Sequence, residues 1–179
     1  MKFAHNKTLV RALVLASGLA ATNFAVQAAP TATANASATI ISPIAVTKTS
    51  DLVFGNLAVG AVGGNVAVSV ADVVTISGAG TTVSQPVGNT GSPAAAEFAV
   101  TGEAGMTYSI TLPADGTVSI TDGGSNTMAV NGFVSNPGTT GTLSGAGTDT
   151  LSVGATLVVG NNQAPGTYTG TFSVTVAYN

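Results

Sequence analysis

The sequence predicts an all-β protein built from short antiparallel strands, arranged as a sandwich or a barrel. Apolar residues recur at every second position along most of the chain, whereas an amphipathic helix would repeat them with a period near 3.6. Clusters of Gly, Asn, Asp, Ser and Pro interrupt these runs about every 8–12 residues, which is typical of strands joined by turns. Thr and Val dominate the runs, and their branched β-carbons suit a pleated sheet.

The first 28 residues have the three parts of a secretory signal peptide. Lys2, His5, Lys7 and Arg11 form a basic start, residues 12–21 are apolar, and Val26-Gln27-Ala28 places small residues at the cleavage positions. An uncleaved anchor helix is the alternative, but it needs roughly 20 apolar residues. We therefore predict cleavage after Ala28 and export to the periplasm, the cell surface or the extracellular medium.

The rest of the chain is expected to form one domain. We divide the sequence into the signal peptide (1–28), a short N-terminal extension (29–37) and a single β-domain (38–179). No apolar run after the leader is long enough for a membrane-spanning helix. The chain has no cysteine, so the domain is expected to fold without disulfides.

After the leader, the charged residues are seven acids and one base, Lys48. A polyphosphate partner needs a basic surface, so this composition excludes nucleic acid as a partner.

The first strand is predicted where small and polar residues alternate. From residue 30 onward, apolar side chains occupy one phase, and Pro43 restricts the pairing near it to an edge or a bulge. The candidate N-terminal strand contains Ala38, Ile40, Ile44 and Val46.

The middle strands follow the same alternation. They are predicted near residues 51–55, 66–70, 73–76, 97–101, 106–112, 118–121, 128–134, 143–144, 148–153 and 156–159. Residues 102–105 are expected to close a hairpin between the strands at residues 97–101 and 106–112. Residues 122–126, with the sequence DGGSN, form a strong turn signal.

The closing strand is predicted to cover residues 167–178. One face carries the larger side chains and the other is almost entirely Thr and Ser. Two interpretations stay open: a strand that packs on the core, or an edge at which a chaperone or another subunit adds a strand. The candidate assembly residues are Tyr168, Phe172, Val174, Val176 and Tyr178.

Three segments carry a resemblance to a known family. They are DLVFG at residues 51–55, LSVG at residues 151–154 and NQAPGTYTGTF at residues 162–172. In their order and spacing the chain resembles secreted bacterial β-proteins known as a domain of unknown function. Its layout is also similar to spore coat protein U and the archaic chaperone–usher pilins. The resemblance implies an immunoglobulin-like, pilin-like β-sandwich at the cell surface, with self-assembly or a periplasmic chaperone as the partner.

The chain departs from the pilin pattern in two ways. Pilins of that group usually carry a cysteine pair, which is absent here. A donor strand also needs bulky side chains, whereas Ala32, Ala34 and Ala36 each add about one methyl, or about 0.8 kcal/mol.

The residue types needed for most catalysis are absent after the leader. No histidine or cysteine follows residue 28, and Lys48 beside Asp51 is expected to be solvated. Glu97 and Glu103 lack the aromatic platform of a sugar hydrolase. The turn at residues 122–126 lacks the ligand spacing of a calcium loop. We therefore predict no enzyme, no metal and no small-molecule cofactor.

The sequence thus favours a structural or adhesive protein that assembles through edge strands. A monomeric secreted binding module and a small outer-membrane β-barrel are the alternatives. Lys48 is expected to guard an edge, because lysine discourages unwanted strand pairing.

Overall fold

The computed structural model describes residues 29–179, and all the regular structure in this range is β-strand. The predicted signal peptide and its cleavage site after Ala28 lie outside the described residues. No helix in the described range is long and apolar enough to cross a membrane. The ten strands are β1 (Ala45–Ser50), β2 (Gly64–Val68), β3 (Val74–Ser77), β4 (Ala96–Thr101), β5 (Thr107–Thr111), β6 (Val118–Thr121), β7 (Thr127–Asn136), β8 (Thr140–Thr142), β9 (Thr148–Val159) and β10 (Thr175–Tyr178).

The chain divides into two units, Met1–Ala38 and Thr39–Asn179. In the first unit, residues 29–38 form no strand and are exposed. All ten strands belong to the second unit.

The larger sheet has seven strands, and β9 lies at its centre. One edge of β9 pairs first with β4 and then, farther along, with β2. The other edge pairs with β7, which in turn pairs with β6. β1 lies outside β4 and β3 lies outside β2, and all pairings are antiparallel. The free side of β1 is therefore an edge of this sheet.

The smaller sheet has three strands in the order β10-β5-β8. It packs against the larger one through a shared core, in which Tyr108 and Ile110 of β5 meet Phe98 of β4 and Leu151 of β9. A second cluster lies under β2, β7 and β9 and contains Val66, Val83, Met128, Val130, Ala155, Leu157 and Val159. Each large apolar side chain buried in this way contributes about 1.5–3 kcal/mol. The prediction of an all-β fold with antiparallel strands is confirmed.

The turn predicted at residues 122–126 is confirmed and joins β6 to β7. The Asp122 N–H donates to the carbonyl oxygen of Asn126 at 3.3 Å. The Asp122 carboxylate accepts from the Asn126 side chain at 2.6 Å and from the Gly124 N–H at 2.8 Å. These hydrogen bonds hold the pKa of Asp122 below its usual value, and the bond from the Asn126 side chain has the largest effect.

The predicted hairpin at residues 102–105 is wrong, because this segment passes from one sheet to the other. β4 belongs to the larger sheet and β5 to the smaller one. Their apolar faces meet across the core, and the Gly102 N–H bonds the carbonyl oxygen of Gly147 at 2.9 Å. The two strands predicted at residues 148–153 and 156–159 are in fact one continuous strand, β9.

The N-terminal strand begins later than predicted. β1 starts at Ala45, so Ala38, Ile40 and Ile44 precede it and lie outside any strand, and of the predicted residues only Val46 belongs to β1. Ile44 and Val46 pack against the shared core of the two sheets. The earlier residues are exposed, and within the described range they have no neighbouring strand to supply backbone hydrogen bonds.

Candidate functional site

The last part of the chain is not one continuous strand as predicted. Thr169 forms a bridge with Thr121, and regular pairing resumes only in β10. Among residues 29–179, no backbone group bonds to the peptide groups of residues 170–173. Phe172 holds this segment in place, because its ring lies 6.3 Å from that of Phe98 and 5.1 Å from that of Phe133. Aromatic contact takes the place of a strand partner here.

A second segment with unpaired backbone, residues 52–59, follows β1. On one side Val53 exchanges hydrogen bonds with Ala94, and Ala58 does the same with Ser84, at 2.8–2.9 Å. Along an extended chain, alternate peptide groups point to opposite edges. The peptide groups of Leu52, Leu57 and Val59 therefore point the other way, and no backbone group of the described range bonds them. The strand predicted at residues 51–55 thus consists of a single bridge.

These two segments form the walls of one groove. Residues 52–55 face residues 168–172 across a section of about 580 Å³, and residues 55–59 face residues 163–168 across an adjoining section of about 550 Å³. The two walls therefore run antiparallel. The floor is apolar and consists of Phe98, Val118, Ile120, Met128, Val130, Leu157 and Val159. One extended strand is the shape that matches two unpaired edges above such a floor.

The groove carries little charge. The charged side chains in its lining are Lys48 and Asp51, which form an ion pair with each other at the rim. Their side chains are 56% and 71% exposed, so the pair adds little stability. No group of three or more acidic or metal-binding side chains lies together within residues 29–179. The groove is therefore suited to an uncharged chain segment more than to an ionic ligand.

The predicted assembly residues divide between two places. Tyr168 and Phe172 line the groove, whereas Val174, Val176 and Tyr178 pack against the shared core. Sequence reasoning missed the opposite wall, which contains Leu52, Phe54, Leu57 and Val59. The sequence does carry one signal of this wall. These four apolar residues occupy even positions before Gly55 and odd positions after it.

Outside the groove lining, Tyr108 is the titratable residue most affected by its surroundings. Its side chain is 0% exposed, and its hydroxyl donates to Asp149 Oδ2 at 2.9 Å. Burial, the hydrogen bond and the negative charge of Asp149 together raise the pKa of Tyr108 well above its ordinary value near 10. The folded state therefore favours the neutral phenol.

This shift predicts a loss of stability in alkali. Because the pKa of Tyr108 is raised in the folded state, its contribution to the free energy of unfolding is complete below pH 10. This contribution is lost as the pH rises above 10, where the tyrosine of the unfolded chain ionises. The free energy of unfolding should fall by up to about 1.4 kcal/mol per pH unit in that range. Urea unfolding between pH 8 and pH 11.5 measures it, and Tyr108→Phe should remove most of the dependence. A Tyr168→Phe control that removes as much would contradict the assignment.

The fold and the groove define a class: an all-β chain of two antiparallel sheets with an open groove over an apolar floor. Residues 44–178 match the family described as domain of unknown function (DUF4402), and the chain belongs to that family. Comparisons with curated proteins and with solved structures found no match.

Proposed function

We propose that this protein is an exported, non-catalytic subunit of the bacterial cell surface that assembles by strand addition. In this proposal the two sheets form an immunoglobulin-like sandwich similar to that of the pilins. A strand from a neighbouring subunit fills the groove, and the role is structural or adhesive.

The observation that carries the proposal is the pair of unpaired backbone edges facing one another across the groove. Exposed edges are templates for pairing, and folded proteins normally cover them. An added strand would run antiparallel to one wall and parallel to the other. Each hydrogen bond that it formed would contribute about 0.5–1.5 kcal/mol. Its apolar side chains would also cover the floor at Ile120 and Val130.

The N-terminal segment of a second copy is the occupant that fits best. Residues 29–47 carry no charged side chain, which matches the groove, and they alternate small apolar with polar residues. Ile40 is 96% exposed and Ile41 is 43% exposed, so both are free to contact another molecule. Extended, residues 31–41 span about 36 Å, and the wall at residues 52–59 spans about 26 Å. The segment is therefore long enough to fill the groove.

The composition of this donor predicts reversible assembly. Its alanines add about 0.8 kcal/mol each, whereas ordering a residue costs about 1–2 kcal/mol. Ile44 cannot contribute to another subunit, because it packs against the core of its own chain. Ile40 is then the largest apolar group on the donor phase. Assembly should depend on protein concentration and should lack the persistence of a bulky-donor pilus.

Sedimentation velocity over a range of protein concentrations, with electron microscopy of the same samples, tests the proposal. We expect oligomers that grow with concentration and dissociate when a synthetic peptide of residues 31–41 is added in excess. The control peptide carries aspartate in place of Ile40. A protein that stays monomeric throughout and fails to bind the peptide would refute strand addition and leave the monomeric binding module as the better description.

A further inference from the structure

Two hydrogen bonds hold Ser42 at the point where the N-terminal segment meets the domain, and a third joins the two residues that bind it. The Ser42 N–H donates to Glu103 Oε2 at 3.0 Å, and its carbonyl oxygen accepts from the Tyr178 hydroxyl at 2.8 Å. The same hydroxyl accepts from the Glu103 N–H at 2.6 Å. Both peptide groups of one residue are thus bound by side chains that lie 61 and 136 positions away. We call this arrangement the Ser42 clamp.

The neighbouring residues are shaped to admit the clamp. A β-carbon on Gly102 would lie 2.2 Å from the Tyr178 hydroxyl oxygen and 2.9 Å from Leu143, so a larger residue would exclude the phenol. The Tyr178 ring packs against the shared core, which fixes its position. Pro43 follows Ser42, and its ring fixes its own φ angle, which limits the freedom of the backbone directly after Ser42.

The clamp lies between the free edges of the two sheets. Tyr178 ends β10, an edge strand of the smaller sheet, and Ser42 precedes β1, an edge strand of the larger sheet. Farther along these same edges, the chain forms the groove walls at residues 52–59 and 163–172. The clamp therefore holds the start of the N-terminal segment next to β1. The chain continues from β1 into the groove wall at residues 52–59.

We infer that the Ser42 clamp prevents the N-terminal segment from folding back into the groove of its own chain and so directs it to a second copy. This inference rests on the proposed function. A fold-back would need a reversal around residues 41–44, so that the segment could run antiparallel beside β1. That reversal needs Ser42 to turn, which would break its bonds to Tyr178 and Glu103. The clamp thus sets the choice between filling the chain's own groove and filling that of a neighbour.

Peptide binding by full-length variants tests the inference. At a concentration where it is monomeric, the unmodified protein should bind a labelled peptide of residues 31–41. Tyr178→Phe keeps the ring but removes two hydrogen bonds, so its own segment should compete and weaken peptide binding and assembly by about tenfold. Adding Ala32→Asp to Tyr178→Phe should restore peptide binding, because a segment folded back antiparallel from residues 41–44 would place residue 32 opposite Val53 in the groove wall, and a carboxylate there would disable it as a competitor. Glu103→Gln keeps an acceptor for Ser42 and should behave like the unmodified protein.

The outcomes separate the two proposals. If the unmodified protein binds the peptide and Tyr178→Phe binds it equally well, the clamp inference is wrong and strand addition stands. If Tyr178→Phe binds poorly and Ala32→Asp does not restore binding, the loss is damage to the groove and the inference is again wrong. If the unmodified protein neither assembles nor binds the peptide, both proposals fail.

Discussion

Replacing Gly141 by alanine is expected to lower the free energy of unfolding by about 3 kcal/mol, at the upper end of the usual cost of overpacking. Gly141 of β8 lies directly opposite Tyr108 of β5 in the smaller sheet. A β-carbon at this position would lie 2.3 Å from Cζ of Tyr108 and 2.4 Å from its hydroxyl oxygen. Favourable carbon–carbon contacts lie near 3.5–4.0 Å, so one of the two strands would have to move.

Tyr108 cannot move aside without further cost. Its side chain is 0% exposed and is packed in the core shared by the two sheets, and its hydroxyl is bonded to Asp149 of β9. A shift of the ring would break that bond or open a void beside Leu151. A loss near 3 kcal/mol is a large part of the 5–15 kcal/mol that typically holds a domain together.

Urea unfolding measures this effect, and Gly138→Ala is the matched control. Gly138 lies three positions earlier, and a β-carbon there would meet nothing within 4 Å. The Gly141→Ala midpoint should fall by about 1–2 M, whereas the control should stay close to the unmodified protein. In a Tyr108→Leu background, the Gly141→Ala substitution should cost much less, because the clashing ring is gone. Equal costs in both backgrounds would show that the ring is not the cause.

The class of fold was predictable because alternation reports which side of a strand faces the core. Val66 and Val68 of β2 and Phe98 and Val100 of β4 alternate with more exposed residues, as the sequence suggests. The turn at residues 122–126 was also predictable, because Asp122 bonds groups only two and four positions away. Local chemistry of this kind is visible in the sequence.

The neighbours of each strand were not predictable from alternation. β4 and β5 are close in sequence and both alternate, yet they belong to different sheets and meet face to face. The alternation of residues 167–178 predicts a continuous strand, but hydrogen bonding also needs a partner edge. Residues 170–173 have no such partner within the described part of the chain.

The groove was hidden from sequence reasoning for the same reason. Its walls, residues 52–59 and 163–172, lie about a hundred positions apart in the sequence. Neither contains a motif that would indicate that the other lies opposite it. The predicted residues Tyr168 and Phe172 do belong to the groove. The sequence could single them out because large side chains on one face of a strand pack on any apolar surface. Which surface they cover depends on the path of the chain between β9 and β10.

Replacing Ile40 by aspartate is expected to weaken assembly by about 100-fold, because the substitution removes the largest donor side chain and places a carboxylate over an apolar floor. Ile40 is 96% exposed in the single chain, so this substitution should leave the free energy of unfolding unchanged. The groove can neutralise little of the added charge. Its lysine, Lys48, lies at the rim and is already paired with Asp51.

Val87→Asp is the matched control for this prediction. Val87 is also a fully exposed apolar residue in the same unit, but it lies in the loop between β3 and β4 and outside the groove lining. Sedimentation of both variants at equal concentrations separates a specific donor from general surface hydrophobicity. We expect Val87→Asp to assemble within about twofold of the unmodified protein. Equal losses in both variants would mean that exposed apolar groups cause nonspecific association, and the N-terminal segment would then lose its role as donor. A loss confined to Ile40→Asp, together with an unchanged urea midpoint, would identify residues 31–41 as the strand that joins one copy to the next.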